Sequence, residues 1–213
     1  MPRTIVSTVG TSLLTNGTEP ALLPLLRRTA NHRARDLDPA EKEQLERLVA
    51  TRRERLARAG IPEARRASAE LNGLLAIPEV LERDAFTADD LHLLIATDTY
   101  QGQSAAEIVR DWIRARDGNA EILQVGDLRT DELASFRTAL SDLTLRLLEW
   151  TQGQRVLLNL TGGFKSVNAF LQSLAMLQGW ESVFLFENAR ELLRIPRLPV
   201  RWDAAEAIGP HLP

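Results

Sequence analysis

Five short apolar runs, at 5–9, 92–97, 120–125, 156–160 and 183–187, constrain this chain more than anything else in it. Each is about five residues long and none alternates cleanly between apolar and polar. That is the pattern of a parallel strand covered on both faces. Helical periodicity fills the spaces between them. Ala106, Val109 and Ile113 form one apolar stripe within 104–116, and Leu133, Phe136, Leu140, Leu143 and Leu147 form another within 130–149. The stretch 167–177 is almost wholly apolar and reads as a central helix. Strand and helix in repetition predict an α/β protein with a doubly wound, mostly parallel sheet. Right-handed crossovers then fix much of its topology.

Residues 19–77 break the rhythm. They read as three helices, 19–33, 39–58 and 62–77, with Pro39 and Pro62 near helix starts and Gly60 as a stop. The middle helix is dense in arginine and glutamate, which suits a solvated face with i,i+4 pairs or a partner-binding arm. The tail 192–202 is expected to form a closing hairpin with the strand ending at Glu187. The expected organisation is one domain over 1–213, with a helical insertion at 19–77 and a short extension at 203–213.

Composition excludes several classes. With a net charge of −3, no global basic excess argues for binding long duplex nucleic acid. Cysteine is absent, so there is neither a disulfide framework nor a thiolate metal site. His32, His92 and His211 have no metal-ligand spacing, and no metal or other cofactor is expected. No apolar run approaches the length of a membrane span. The first residues lead directly into a strand-like run with no room for a signal peptide, so a cytoplasmic location is expected. Among 26 basic residues only Lys42 and Lys165 are lysine; the rest are arginine.

In an open α/β sheet, ligands bind beyond the carboxyl ends of the strands, where the strand order reverses. Three segments leave strands with specific loop chemistry. In the first, Gly10 allows close backbone approach while Thr11, Ser12 and Asn16 offer hydroxyl and amide groups. Helix capping and turn chemistry account for the same residues. The second holds Asp98, Thr99, Tyr100 and Gly102. Asp98 reads equally as a helix N-cap, and Tyr100 as a base-stacking platform or a packed ring. The third is Asn159-Leu160-Thr161-Gly162-Gly163-Phe164-Lys165-Ser166, strand to helix with a Gly-Gly turn and a lysine at the helix start. A cation there opposes the helix macrodipole at a cost of a few tenths to about 1 kcal/mol. Glycines, free helix N–H groups and a lysine form an anion cradle, and a bound phosphate reverses the penalty. The spacing is not that of a P-loop, and no Gly-x-Gly-x-x-Gly follows the first strand.

These blocks together, with Phe186-Glu187 and the segment Ile195-Pro196-Arg197-Leu198-Pro199-Val200, resemble the signature blocks of one group of CRISPR-associated Rossmann-fold (CARF) domains. The resemblance spans about residues 4–202. It implies a Rossmann-like fold and a homodimer that holds a cyclic tetra- or hexa-adenylate across its two-fold axis, tetra-adenylate favoured. The loops at Gly10-Thr11-Ser12 and Gly163-Phe164-Lys165 would face that ligand. Some members of the superfamily cleave their ligand without metal and are called ring nucleases. Many carry a C-terminal effector, whereas here only residues 203–213 follow Trp202.

Two functions follow. In a ring nuclease, the ribose 2′-OH attacks the adjacent phosphorus and leaves linear adenylates ending in a 2′,3′-cyclic phosphate. Lys165 would hold the phosphate, and Ser12 or Thr11 would orient the 2′-OH. No histidine lies in the loops, so turnover is expected to be slow. In a pure sensor, binding changes dimer geometry and signals to a separate effector, with 19–77 as the contact arm. A metal-dependent nuclease ranks third, because no acidic or histidine constellation has ligand spacing.

Overall fold

The computed structural model describes residues 3–77, 86, 89–128, 133–186, 191–196 and 198–200. Its strands are β1 (Arg3–Thr8), β2 (Asp90–Thr97), β3 (Asn119–Val125), β4 (Arg155–Asn159), β5 (Glu181–Phe184) and β6 (Leu193–Ile195). They form one sheet in the order β3-β2-β1-β4-β5-β6. The first five are parallel and β6 runs antiparallel to β5. The chain builds outward from β1 to β3, then crosses back to β4 and builds outward the other way. The order therefore reverses between β1 and β4, which opens a crevice at their carboxyl ends.

Alternation sorts the strand residues onto two faces. Ile5, Leu94 and Leu157 join the core on one face, and Val6, Leu93 and Leu158 join the core on the other. Both faces are covered, as the unbroken apolar runs require.

Helix α6 (Tyr100–Arg114) brings Ala105, Val109, Trp112 and Ile113 to the first face. Helices α7 (Leu133–Thr151) and α8 (Lys165–Gln178) bring Leu143, Leu147, Val167 and Leu171 to the second. The fold is thus the doubly wound, Rossmann-like one expected, with element boundaries moved by a few residues. Thr130, placed in the α7 helix by periodicity, lies outside the described residues.

The insertion differs most from expectation. After α1 (Ser12–Thr15) in the loop following β1, it contains α2 (Leu23–Arg28), α3 (Pro39–Arg58), α4 (Ile61–Ala67) and α5 (Ala69–Leu74). Only α3 keeps its expected bounds. Asp38 caps it by accepting from the Ala40 and Glu41 N–H groups, and Arg55 and Arg58 sit in its last turn. The helix expected over 19–33 shrinks to α2, preceded by a 3-10 turn at Pro20–Leu22. The helix expected over 62–77 is two helices, because Ser68 is extended and caps α5 by accepting from the Leu71 N–H. A third apolar cluster, including Leu14, Leu25, Leu26, Leu37 and Leu45, holds this layer to the domain.

The closing hairpin is present: Phe184 pairs with Leu193 and Ser182 with Ile195. Glu187, Arg197 and 201–213, including His211 and Trp202, lie outside the described residues. Among the described residues no helix is long and apolar enough to cross a membrane.

His92 on β2 is 1 % exposed, with neither ring nitrogen hydrogen-bonded among the described residues and its ring edge-on to Phe86. Burial lowers its pKa from 6.5 to about 4, against a smaller opposing pull from Asp90. The unfolded chain therefore takes up a proton near pH 6.5 that the folded chain refuses until about pH 4, so stability falls as pH drops through that window. Between pH 7 and 4.5 the wild type should lose about 2–3 kcal/mol more unfolding free energy than His92→Leu, measured by urea denaturation.

Candidate functional site

The crevice between β1 and β4 is closed from the insertion side by α5, which seats a carboxylate in it. Glu70 is 1 % exposed. Its Oε1 accepts from the Gly10 N–H at 2.8 Å. Its Oε2 accepts from the Ser12 hydroxyl at 2.9 Å and the Ser68 hydroxyl at 2.6 Å. Ser12 Oγ in turn accepts from the Ala69 N–H at 3.0 Å. Ser12 is thus held in both directions by α5. Three donors satisfy this buried carboxylate, and losing them would leave its desolvation uncompensated.

The same carboxylate explains one glycine, and the neighbouring loop another. A Cβ on Gly162 would run into the Glu70 side chain, and one on Gly10 would lie 3.2 Å from the Gly163 Cα. The first and third loops therefore touch. Gly163 has φ +81°, and a Cβ there would meet the Thr8 side chain at 2.5 Å.

Buried polar side chains fix the third loop from beneath. Thr8 Oγ1 bonds the Gly162 carbonyl and Asn168 Oδ1, each at 2.7 Å. Asn168 Nδ2 donates to the carbonyls of Leu160 and Gly162. Fully buried Asn159 donates to Ser7 Oγ and to the Glu70 carbonyl, and its Oδ1 accepts from the Thr161 N–H. Thr161 Oγ1 accepts from the Leu185 N–H.

Above this base, α8 starts without a side-chain cap and without an acidic residue in its first turn. Phe164 packs on the second core, while Lys165 and Ser166 are exposed. Lys165 makes no ion pair among the described residues. The start of α8 beside an ammonium that no described carboxylate pairs with makes a positive rim after the Gly162-Gly163 turn.

Thr11 precedes α1 without capping it by its side chain. Asn16 is exposed, and its Nδ2 reaches the Ala67 carbonyl at 3.4 Å.

The second segment is spent on structure. Thr99, not Asp98, caps α6 by accepting from the Gly102 N–H. A Cβ on Gly102 would collide with Thr97, so that glycine serves helix-on-strand packing. Asp98 accepts from Arg33 at 2.6 Å, and Arg33 also pairs with Asp127. The hydrogen bond to Asp98, and then its charge, raise the Arg33 pKa further. Tyr100 packs on the third cluster and donates its N–H to the His32 carbonyl.

Sequence reasoning left Glu70, Asn159 and Asn168 out of the site. The signal for Glu70 was a lone acidic residue opening the otherwise uncharged run Leu71-Asn72-Gly73-Leu74-Leu75-Ala76-Ile77, two residues after a serine able to cap.

Glu70→Ala strands the Gly10 N–H and two hydroxyls, and should lower the unfolding free energy by about 3 kcal/mol or more. Glu70→Gln keeps an acceptor for Gly10 and should recover most of that loss. Chemical denaturation of both variants measures the difference. Gly163→Ala should destabilise by about 1–3 kcal/mol through its positive φ and the clash with Thr8.

Residues 65–198, more than half of the chain, match the model of a family described as CRISPR-associated protein (Cas_APE2256). The matched span contains Glu70, Asn159, Gly162, Gly163, Lys165 and Asn168, the residues that build the crevice floor and its positive rim. The chain therefore belongs to the CRISPR-associated Cas_APE2256 family.

Proposed function

We propose that this protein binds a cyclic oligoadenylate, with cyclic tetra-adenylate favoured over the hexa-adenylate, as a homodimer in CRISPR antiviral signalling. One observation carries the reading. The loop at Gly10, Thr11 and Ser12 touches the loop at Gly162 and Gly163 at the strand-order reversal, beside the uncapped start of α8 and Lys165. A ring of phosphodiesters meets there free N–H groups and an ammonium. A two-fold dimer offers such a ring two copies of each loop.

Slow, metal-independent cleavage fits the same geometry. The 2′-oxygen bonds to phosphorus, the bond to the 5′-oxygen breaks, and a 2′,3′-cyclic phosphate forms. Lys165 and the α8 N–H groups stabilise the charge on the nonbridging oxygens. Ser12 orients the 2′-OH, whose proton passes to water as the 2′-oxygen bonds to phosphorus, and the leaving 5′-oxygen takes a proton back from water, so that none is gained or lost overall. Glu70 is a positioning residue in this scheme, since Ser12 lies between it and the ligand. Binding without cleavage is the second reading. It is favoured by Ser12 Oγ, which already donates to Glu70 and accepts from the Ala69 N–H.

Calorimetry should give tighter binding of cyclic tetra-adenylate than of cyclic hexa-adenylate, NAD or ATP; preference for NAD or ATP contradicts the proposal. Light scattering should give twice the 23.8 kDa chain mass. Incubation of labelled cyclic tetra-adenylate with protein and EDTA separates the two readings, because only the first yields linear product. Lys165→Ala should weaken binding by about 1.5–3 kcal/mol, roughly 10- to 150-fold, with unchanged thermal unfolding. Lys165→Arg should recover binding better than cleavage.

A further inference from the structure

Helix α3 carries a guanidinium buried without a counter-charge. Arg52 is 8 % exposed, one amino group donates to Thr18 Oγ1, and its Nε is buried with no hydrogen-bond partner. Among the described residues no carboxylate pairs with it. Burial, and then the nearby charge of Arg55, lower its pKa. A buried cation left unpaired costs several kcal/mol, and an anion supplied from solution removes that cost.

The surroundings have room for one. Arg52 lines a cleft of about 150 Å³ between α1, α3 and α4, together with Asn16, Gly17, Arg55 and Arg66. Glu63 is the acidic residue of that lining, and it forms no ion pair among the described residues. Three arginines against one glutamate leave the cleft positive. An adjoining cleft shares Asn16 and Arg66 and extends to Ser12 and Arg65.

We propose that the Arg52 cleft binds a phosphate-type oxyanion, with the guanidinium groups of Arg52, Arg55 and Arg66 and the Asn16 amide as its donors. Guanidinium forks match phosphate oxygens in pairs, and their weak hydration suits a partly buried site. The phosphate belongs to a nucleotide or to a free polyphosphate. Apart from Asn16, which the loop after β1 also carries, this site uses none of the residues of the oligoadenylate site, and it does not depend on that reading.

The test uses the full chain, low ionic strength and millimolar pyrophosphate, with 5′-AMP as a second probe. The arginine Nε–H resonances are followed by NMR, with Arg52 assigned from Arg52→Gln. The Arg52 signal should shift and saturate with pyrophosphate. Thermal unfolding should rise by about 2–4 °C. Arg66→Gln, an exposed position whose variant keeps the fold, should cut that rise by half or more. Arg28→Gln, whose native side chain pairs with Glu41 away from the cleft, should keep it. A stronger response to 5′-AMP than to pyrophosphate assigns the cleft to a nucleotide's phosphate, and a weaker one to a free polyphosphate. An Arg52 signal unmoved by either probe, or a full thermal response in both Arg52→Gln and Arg66→Gln, overturns the proposal. The probes are not oligoadenylates, so failure here leaves the calorimetric test of that ligand intact.

Discussion

The Glu70 carboxylate joins two parts of the chain that the sheet alone leaves separate. It is carried by α5 of the helical insertion, yet its partners lie in the loop after β1 and against Gly162 after β4. A buried carboxylate cannot be left partly satisfied, so its three donors must all reach it. That demand fixes where α5 sits, why residue 162 has no side chain, and which way Ser12 points. The insertion is thereby part of the crevice wall as well as an appended layer.

A second consequence concerns charge. Glu70 brings a negative group to the crevice floor, while Lys165 and the free start of α8 keep the rim positive. In the proposed binding mode such a division would orient a polyanion, with phosphates drawn to the rim and kept off the floor. The polar side chains under the loops, Thr8, Asn159 and Asn168, hold the glycine turn rigid without contributing charge. A rigid, pre-paid loop geometry is what binding a symmetric ring requires.

Much of this was legible in the sequence. Uninterrupted apolar runs dictated a sheet covered on both faces, and its layers, closing hairpin and crevice followed. Lys165 stood out because a lone lysine at a helix start contradicts the dipole rule, and it is indeed exposed there. The insertion was less legible. Ser68 reads as an ordinary helical residue until its hydroxyl is seen capping α5, so one helix was expected where two occur. Asp98 and Thr99 were both able to cap α6, and only the long-range pairing of Asp98 with Arg33, 65 residues away, decides between them. Glu70 was missed largely for the same reason: two of its three partners are 58 and 60 residues distant, and only Ser68 is near in sequence.

The central claim is that the two touching loops and the start of α8 are where a cyclic oligoadenylate sits. Amide hydrogen exchange with and without cyclic tetra-adenylate tests it most directly, because the loop N–H groups are the proposed donors. The account predicts added protection concentrated at residues 10–16 and 161–167, and its loss in Lys165→Ala. Protection confined to other segments, or none at ligand concentrations that saturate binding, would contradict it.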